Sequence, residues 1–296
     1  MLKQYDTIMK KFISPYVYIG CHCNNNCIFC SEANNNAESF NFRPLEDIKN
    51  DILKIKGSYD FINFMGREPT LRDDLIVILK FAKQAGFKQV GLTSNGRLFY
   101  YKDFIRSLLD TGIDQIGISL CGPTAAIHDR QTMSPGSFYQ TIKGIKNINK
   151  FKKPKQNILV NLPLNKLNYM HLGRTLDLLT RLKIKEIGLL YVYPLSKRSR
   201  DPKIIMNMSE LGQHTFNIFK KRRLLETGNS RILLVEFLPC SLPKEARKYF
   251  FPCLEKNQKK VRIPACLRCI YKTNCDGVHK DYLNMFGPSE FTQVED

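Results

Sequence analysis

The sequence lacks any long apolar segment, and this absence excludes several classes of protein. Its longest apolar run, near 187–195, is far too short to cross a bilayer. Residues 1–11 are polar and charged, so we expect no signal peptide. No internal repeat or low-complexity linker is present. At 296 residues, the chain can bury one large core, or one core with a small satellite domain.

Acidic residues are also in short supply. The net charge is +19, and residues 149–296 carry +15 of it. One interpretation is compositional, because Lys, Asn and Ile are all abundant. The other is an acidic partner, such as nucleic acid, a phosphorylated ligand or an acidic peptide. Since no aromatic residues interleave the basic ones and no nucleic-acid module is recognisable, we do not expect nucleic acid to be the partner.

The ten cysteines are the main chemical feature. In a chain without a leader they indicate metal ligation in a reducing compartment, which predicts a cytoplasmic protein. Cys23, Cys27 and Cys30 are close enough in one loop to bind a single metal centre. No fourth ligand lies nearby, since Cys21 ends a predicted strand. Three soft thiolates indicate an iron–sulfur cube with one open iron. Zinc is the alternative, although structural zinc takes four closed ligands.

Hydrophobic patterning predicts strands that alternate with helices. The predicted strands are Tyr16–Gly20, Phe61–Met65, Gln89–Thr93, Gln115–Leu120, Ile158–Leu162 and Glu186–Val192. The predicted helices are Leu45–Ile55, Leu71–Ala85, Lys102–Leu109, Phe138–Lys150, Met170–Leu182 and Glu210–Thr227. This alternation predicts an α/β fold, a partial (β/α)6 TIM-type barrel with its chemistry on the loops after the strands. A further strand, Arg231–Leu238, precedes irregular, Cys-rich sequence. We therefore divide the chain into a barrel, 1–229, and a small C-terminal domain, 230–296.

A second set of cysteines follows the pattern Cys266-x2-Cys269-x5-Cys275. A closed site needs a fourth thiolate, for which Cys240 and Cys253 are the candidates. Sulfur ligands alone do not separate an iron–sulfur cluster from a four-cysteine zinc knuckle. The set therefore predicts a metal site without identifying the metal.

Two motifs resemble the radical SAM superfamily: the Cys23–Cys30 loop, with Phe29 before its last cysteine, and the run Gly66-Arg67-Glu68-Pro69 after the second strand. The resemblance implies a [4Fe–4S] cluster on Cys23, Cys27 and Cys30 whose open iron chelates S-adenosylmethionine (SAM). It implies reductive cleavage of SAM to a 5′-deoxyadenosyl radical that abstracts a substrate hydrogen. Arg67 departs from the family's usual second glycine. The resemblance implies cofactor contacts from Phe29, Gly66, Glu68, Ser94, Asn95, Ser119, Arg130 and Asn161.

The C-terminal cysteines resemble the SPASM or twitch domains that carry an auxiliary cluster in many radical SAM enzymes. The resemblance favours Cys240 over Cys253 as the fourth ligand beside Cys266, Cys269 and Cys275. His279 stands where the full pattern has another cysteine, which implies one auxiliary cluster. The expected cofactors are therefore two [4Fe–4S] clusters and SAM.

The resemblance implies an enzyme that modifies a peptide, with a flavodoxin- or ferredoxin-type electron donor. The short apolar runs predict no membrane association. Two alternatives stay open: a radical SAM enzyme of small-molecule or cofactor biosynthesis, and a basic zinc protein that binds nucleic acid. Cys121 is interpreted as a small buried residue, with a hydrogen-donating thiol as the alternative. Residues 128–130 are interpreted as a hydrogen-bonded loop.

Overall fold

A computed structural model describes residues 15–31, 42–222, 230–252 and 259–295. The polar stretch 1–11, the predicted domain boundary at residue 229 and Cys253 lie outside these residues. Among the helices of the described residues, none has the length and apolar character needed to span a membrane.

Eight strands form one sheet, and their order in the sheet is their order in the chain. The strands are β1 Tyr16–Tyr18, β2 Phe61–Met65, β3 Gln89–Ser94, β4 Gln115–Ser119, β5 Asn157–Leu164, β6 Glu186–Tyr191, β7 Arg231–Val235 and β8 Phe250–Phe251. The pairings of β1 to β4 and of β6 to β8 are parallel. Parallel neighbours need a crossover between them, which explains the helices that separate most of these strands in sequence.

The helices are α1 Leu45–Lys56, α2 Leu75–Gln84, α3 Lys102–Leu109, α4 Ala125–Thr132, α5 Ser137–Phe151, α6 Leu172–Arg181, α7 Met208–Lys221 and α8 Lys280–Phe286. The last of them follows a short antiparallel pair, β9 Lys260–Val261 with β10 Val278–His279. The predicted α/β class, a partial barrel of parallel strands with crossover helices, is confirmed. The strand predicted at 231–238 joins the same sheet beside β6.

The interpretation of residues 128–130 as a loop was wrong, because these residues lie in α4. The carbonyl of Thr124 accepts hydrogen bonds from the N–H groups of Ile127 (3.2 Å) and His128 (2.9 Å), and this starts the helix. The helix sequence, AAIHDRQT, has no apolar stripe, so hydrophobic periodicity could not reveal it.

Two other elements are shorter than predicted for local backbone reasons. Helix α2 begins at Leu75 rather than Leu71 because Pro69–Leu71 forms a 3-10 turn first. Strand β7 ends at Val235 because Glu236 adopts a positive φ of 63°, which interrupts extended pairing.

The described residues fall into two compact units. The first unit comprises 15–26, 42–120 and 132–160, and the second comprises 27–31, 121–131, 161–222, 230–252 and 259–295. Ile62 and Phe64 of β2 and Leu92 of β3 are fully buried in the first unit. Phe219 and Tyr282 are fully buried in the second. Burying a large apolar side chain stabilises a fold by about 1.5–3 kcal/mol, so each unit has a core of its own.

Candidate metal centres and cofactor site

The loop Cys23–Cys30 is tied to the end of α4 through its backbone. Within the first unit, the N–H of Asn26 donates to the carbonyl of Thr132 at 2.9 Å. Within the second, the N–H of Ile28 donates to the carbonyl of Gln131 at 2.9 Å. These bonds fix the loop on either side of its second cysteine. Sequence reasoning could not foresee them, because α4 itself was not predicted.

Cys23 is exposed, whereas Cys27, Phe29 and Cys30 are half-buried. The N–H of Cys30 donates to the carbonyl of Cys27 at 3.3 Å, which closes a turn between these two cysteines. No disulfide involves any of the nine cysteines that the structure describes. Among the same described residues, no three His, Cys, Asp or Glu side chains stand in metal-binding positions.

Cys23 receives nitrogen donors within the first unit. The N–H of Asn25 lies 3.4 Å from its Sγ, and the Nδ2 of Asn95 lies 3.8 Å from it. The same Nδ2 donates to the Oδ1 of Asn24 at 2.6 Å. Donors that point at a sulfur favour its thiolate over its thiol, and thiolate is the form that binds metal.

Glu68 is fully buried at the centre of a hydrogen-bonded group on the first unit. Its Oε1 accepts from the N–H and Oγ1 of Thr70 (3.1 and 2.6 Å) and from the Oγ of Ser94 (2.8 Å). Its Oε2 accepts from the N–H of Asn95 at 2.7 Å. Burial raises the pKa of Glu68, and the hydrogen bonds from Thr70, Asn95 and Ser94 oppose that shift. Both carboxylate oxygens are therefore engaged by protein donors, which tie the loop after β2 to the end of β3.

The turn before Glu68 has an unusual backbone. Gly66 has φ 100° and Arg67 has φ 31°, and both values lie in the region that glycine adopts most easily. A side chain at Gly66 would also approach the ring of Tyr18 at 3.2 Å. Arg67, which stands where the family usually has a glycine, therefore has a strained backbone conformation.

The other residues predicted as cofactor contacts are distributed over the two units. Ser119 lies half-buried at the end of β4 in the first unit. In the second unit, Arg130 is exposed near the end of α4, and the Oδ1 of Asn161 lies beside Gly188, where it would meet an added Cβ at 2.6 Å. Within the first unit, hydrogen bonds bring together Cys23, Glu68, Ser94 and Asn95, so part of the predicted set does converge.

Cys121 lies in the second unit, with 2% of its surface exposed. Its N–H donates to Nδ1 of His128 at 3.1 Å, and its carbonyl accepts from Gln131 (2.7 Å) and Asn168 (3.1 Å). Burial, and to a lesser extent the thiol of Cys27, raises the pKa of Cys121 well above its ordinary value. A protonated, buried thiol agrees with its interpretation as a small core residue.

Four cysteines of the second unit line one cavity: Cys240, Cys266, Cys269 and Cys275. Burial, together with the thiols of the other three, raises the pKa of Cys240 to about 12. Burial also raises the pKa of Cys275. A bound cationic centre would offset the repulsion among thiolates, so four cysteine sulfurs around one cavity are a donor set that could take a metal.

A tight turn fixes the last of these cysteines. Gly277, two residues after Cys275, has φ 93°, and an added Cβ would lie 2.3 Å from the carbonyl oxygen of Val261. Val261 pairs with Val278 in the β9–β10 ladder. Only glycine allows this close approach, so the Asp276-Gly277 step holds Cys275 against the cavity.

Sequence reasoning missed Arg97. Its guanidinium donates to the carbonyl oxygen of Asn24, to the Oδ1 of Asn25 (2.9 Å) and to the Oε1 of Gln140 (2.6 Å). The only signal available in the sequence was its position one residue after the Asn95-Gly96 turn.

Comparison with known proteins places these observations in a family. The model of the Radical SAM superfamily matches residues 17–179. A probable GTP 3′,8-cyclase of Saccharolobus islandicus is 30% identical over 179 residues, which cover 58% of this chain and 54% of that one. The chain thus spans about half the length of the curated relatives it matches.

Two solved structures share the fold. The protein anSMEcpe, determined with AdoMet and the Cp18Cys peptide, has a TM-score of 0.63 at 13% identity, over 95% of this chain and 92% of its own. SuiB of Streptococcus suis, determined with the precursor peptide SuiA, has a TM-score of 0.60 at 18% identity, over 75% of this chain and 49% of its own. At these identities the likeness concerns the fold alone.

Proposed function

The chain belongs to the radical SAM superfamily, and on that premise we propose that it is an enzyme that modifies a peptide. Membership implies a [4Fe–4S] cluster and SAM. When bound, the cluster supplies the electron that cleaves SAM to methionine and a 5′-deoxyadenosyl radical, which removes a hydrogen atom from the substrate. The protein's own part is to hold these groups, orient them and keep water away.

Cys23, Cys27 and Cys30 are the ligands we propose for this cluster. The donor set fits, because it offers three soft thiolates and leaves one iron open for SAM. The nitrogen donors at Cys23 support this assignment, since hydrogen bonds to ligating sulfurs stabilise clusters and tune them. Iron fits this set better than zinc, for which a closed site would need a fourth ligand.

Two groups of residues would hold SAM. Gly66 and the strained turn after it would let the backbone approach the methionine part, while Ser94 ends β3 and Asn95 follows it on the same unit. Because protein donors occupy both oxygens of Glu68, its main role would be to shape this turn. The remaining proposed contacts are Phe29, Ser119, Arg130 and Asn161.

Cys240, Cys266, Cys269 and Cys275 are the ligands we propose for an auxiliary [4Fe–4S] cluster in a SPASM- or twitch-like region. The cavity that these four cysteines share supports a common metal centre. Four thiolates would complete the coordination of a cube, so this centre would serve electron transfer rather than bind SAM.

The observation that carries the peptide assignment is the likeness to anSMEcpe in complex with a peptide, which extends over 95% of this chain. SuiB, also determined with its precursor peptide, supports the same substrate class. The second candidate is a small-molecule enzyme, favoured by the 30% identity to a probable GTP 3′,8-cyclase.

One experiment separates the two candidates. The reconstituted protein is reduced anaerobically with SAM in the presence of GTP or of synthetic peptides that match short reading frames beside its gene. We expect a deuterated peptide, and not deuterated GTP, to transfer deuterium into 5′-deoxyadenosine. Transfer from GTP alone would establish the small-molecule alternative and reject the peptide assignment.

A further inference from the structure

The segment that carries Cys23 is held from outside its own loop. The carbonyl of His22, the residue before Cys23, accepts from the N–H of Glu68 at 2.9 Å. Asn24, the residue after it, accepts from Asn95 through its side chain and from Arg97 through its carbonyl. The first cysteine therefore lies between two backbone positions that are fixed by the loops after β2 and β3.

Arg97 makes the most contacts in this arrangement. One nitrogen, Nη1, serves both the carbonyl of Asn24 and the Oδ1 of Asn25, while Nε donates to Gln140 on α5. The planar guanidinium allows these bonds at once, because its donors project in fixed directions. Lysine has one nitrogen and could replace only part of the set.

The loop that carries Arg97 is itself anchored. The N–H of Asn95 donates to the buried carboxylate of Glu68, and the carbonyl of Asn95 accepts from the Oγ1 of Thr141 at 3.0 Å. The N–H of Arg97 donates to the Oδ1 of Asn95 at 3.0 Å. These hydrogen bonds hold the backbone at Arg97 in place. A residue that positions another group must itself be held in this way.

We propose that Arg97 is a positioning residue that clamps the Cys23 segment of the cluster loop and favours the reduced state of the cluster. The inference rests on the proposed function, because it assumes a cluster on Cys23, Cys27 and Cys30. The physical reason is twofold. The bonds to Asn24 and Asn25 restrict the loop, and a permanent positive charge beside the loop stabilises the extra negative charge that the cluster gains on reduction.

The test compares three variants of the reconstituted protein. Arg97→Gln removes the charge and most of the bonds, and Arg97→Lys keeps the charge with fewer bonds. Arg106→Gln is the matched control, since Arg106 lies on α3 of the same unit, half exposed, over the ring of Phe151. Two quantities are measured: the rate of iron loss to a chelator, and the midpoint potential of the SAM-binding cluster by EPR-monitored titration in a background where Cys266, Cys269 and Cys275 are Ala.

We expect Arg97→Gln to lose iron about 10-fold faster, since losing a side chain that supports a metal site typically weakens metal binding by roughly 10–100-fold. Its midpoint potential should be lower, because the positive charge beside the loop is gone. Arg97→Lys should lose iron faster than wild type but keep a potential near the wild-type value. Arg106→Gln should match wild type in both measurements.

The outcomes separate the inference from the proposed function. If the background protein with Arg97 intact forms no [4Fe–4S] cluster, the proposed function fails. If that cluster forms, and Arg97→Gln changes neither its potential nor its rate of iron loss, then Arg97 has no positioning role and the inference is rejected. Faster iron loss with an unchanged potential would reject the electrostatic half of the proposal and keep the clamp.

Discussion

Cys23, Cys27 and Cys30 lie within eight residues of one loop, whereas Cys240, Cys266, Cys269 and Cys275 are drawn from a span of 36 residues. The first set runs from exposed to half-buried, and nitrogen donors point at its first sulfur. The second set lines a single cavity, where burial and mutual proximity raise the pKa of Cys240. The surroundings of the cysteines thus differ between the two sets. Hydrogen-bond donors face a sulfur of the first set, whereas burial dominates around the second.

The difference fits two kinds of centre. A loop with three thiolates and polar surroundings suits a cluster that must leave one iron open to a charged ligand. Four half-buried thiolates suit a closed centre that exchanges electrons without binding such a ligand. Three predictions test this comparison, in order of the expected effect.

The largest effect is expected from changing Cys23, Cys27 and Cys30 together to Ala. This change removes every proposed ligand of the SAM-binding cluster, so reductive cleavage of SAM should fall to background. Iron content after anaerobic reconstitution should fall from about eight atoms per chain to about four, since a separate auxiliary cube would persist. Cys121→Ala is the control and should keep the full iron content. A preparation that holds only zinc would overturn the proposed chemistry.

An intermediate effect is expected from Cys240→Ala. If Cys240 is the fourth thiolate, its loss opens the auxiliary centre, which should then be absent or degraded by iron count and Mössbauer spectrum. SAM cleavage without substrate should continue, because the cluster loop is intact. Cys253→Ala is the matched control, and it should leave the auxiliary cluster unchanged. The reverse result would make Cys253 the ligand and remove the argument built on the cavity.

The alternation of strands and helices was enough to predict the fold class, because each parallel strand needs a crossover before the next one. The cysteine spacing likewise led to both proposed metal sites, which stay predictions. The support around them could not be predicted. Helix α4 has no apolar stripe, and Arg97 reaches Asn24 across 73 positions of sequence. Such contacts depend on where strands end in space, which the local pattern of residues does not specify.

Glu68 illustrates the same limit. The motif implied a direct ligand of SAM, yet the structure surrounds the carboxylate with donors from Thr70, Ser94 and Asn95. A carboxylate that is fully buried and fully engaged holds its neighbours in place. The third prediction separates the two roles of Glu68, direct contact with SAM and support of the turns after β2 and β3.

The smallest effect of the three is expected from Glu68→Gln. The amide keeps one acceptor oxygen, but its NH2 group must face a donor where Glu68 had an acceptor. Losing one charge-assisted hydrogen bond in a buried group costs about 1.5–3 kcal/mol, so the thermal stability of the metal-free protein should fall. SAM affinity, measured by calorimetry on reconstituted protein, should fall as well, because the turns after β2 and β3 lose their common anchor.

Glu46→Gln is the control and should change neither quantity. It removes an exposed carboxylate on α1 that pairs with Lys49 at the surface, at 2.8 Å. A loss of SAM affinity with unchanged stability would mean that Glu68 contacts SAM directly. Unchanged values of both would mean that the hydrogen bonds at Glu68 do not support the cofactor site.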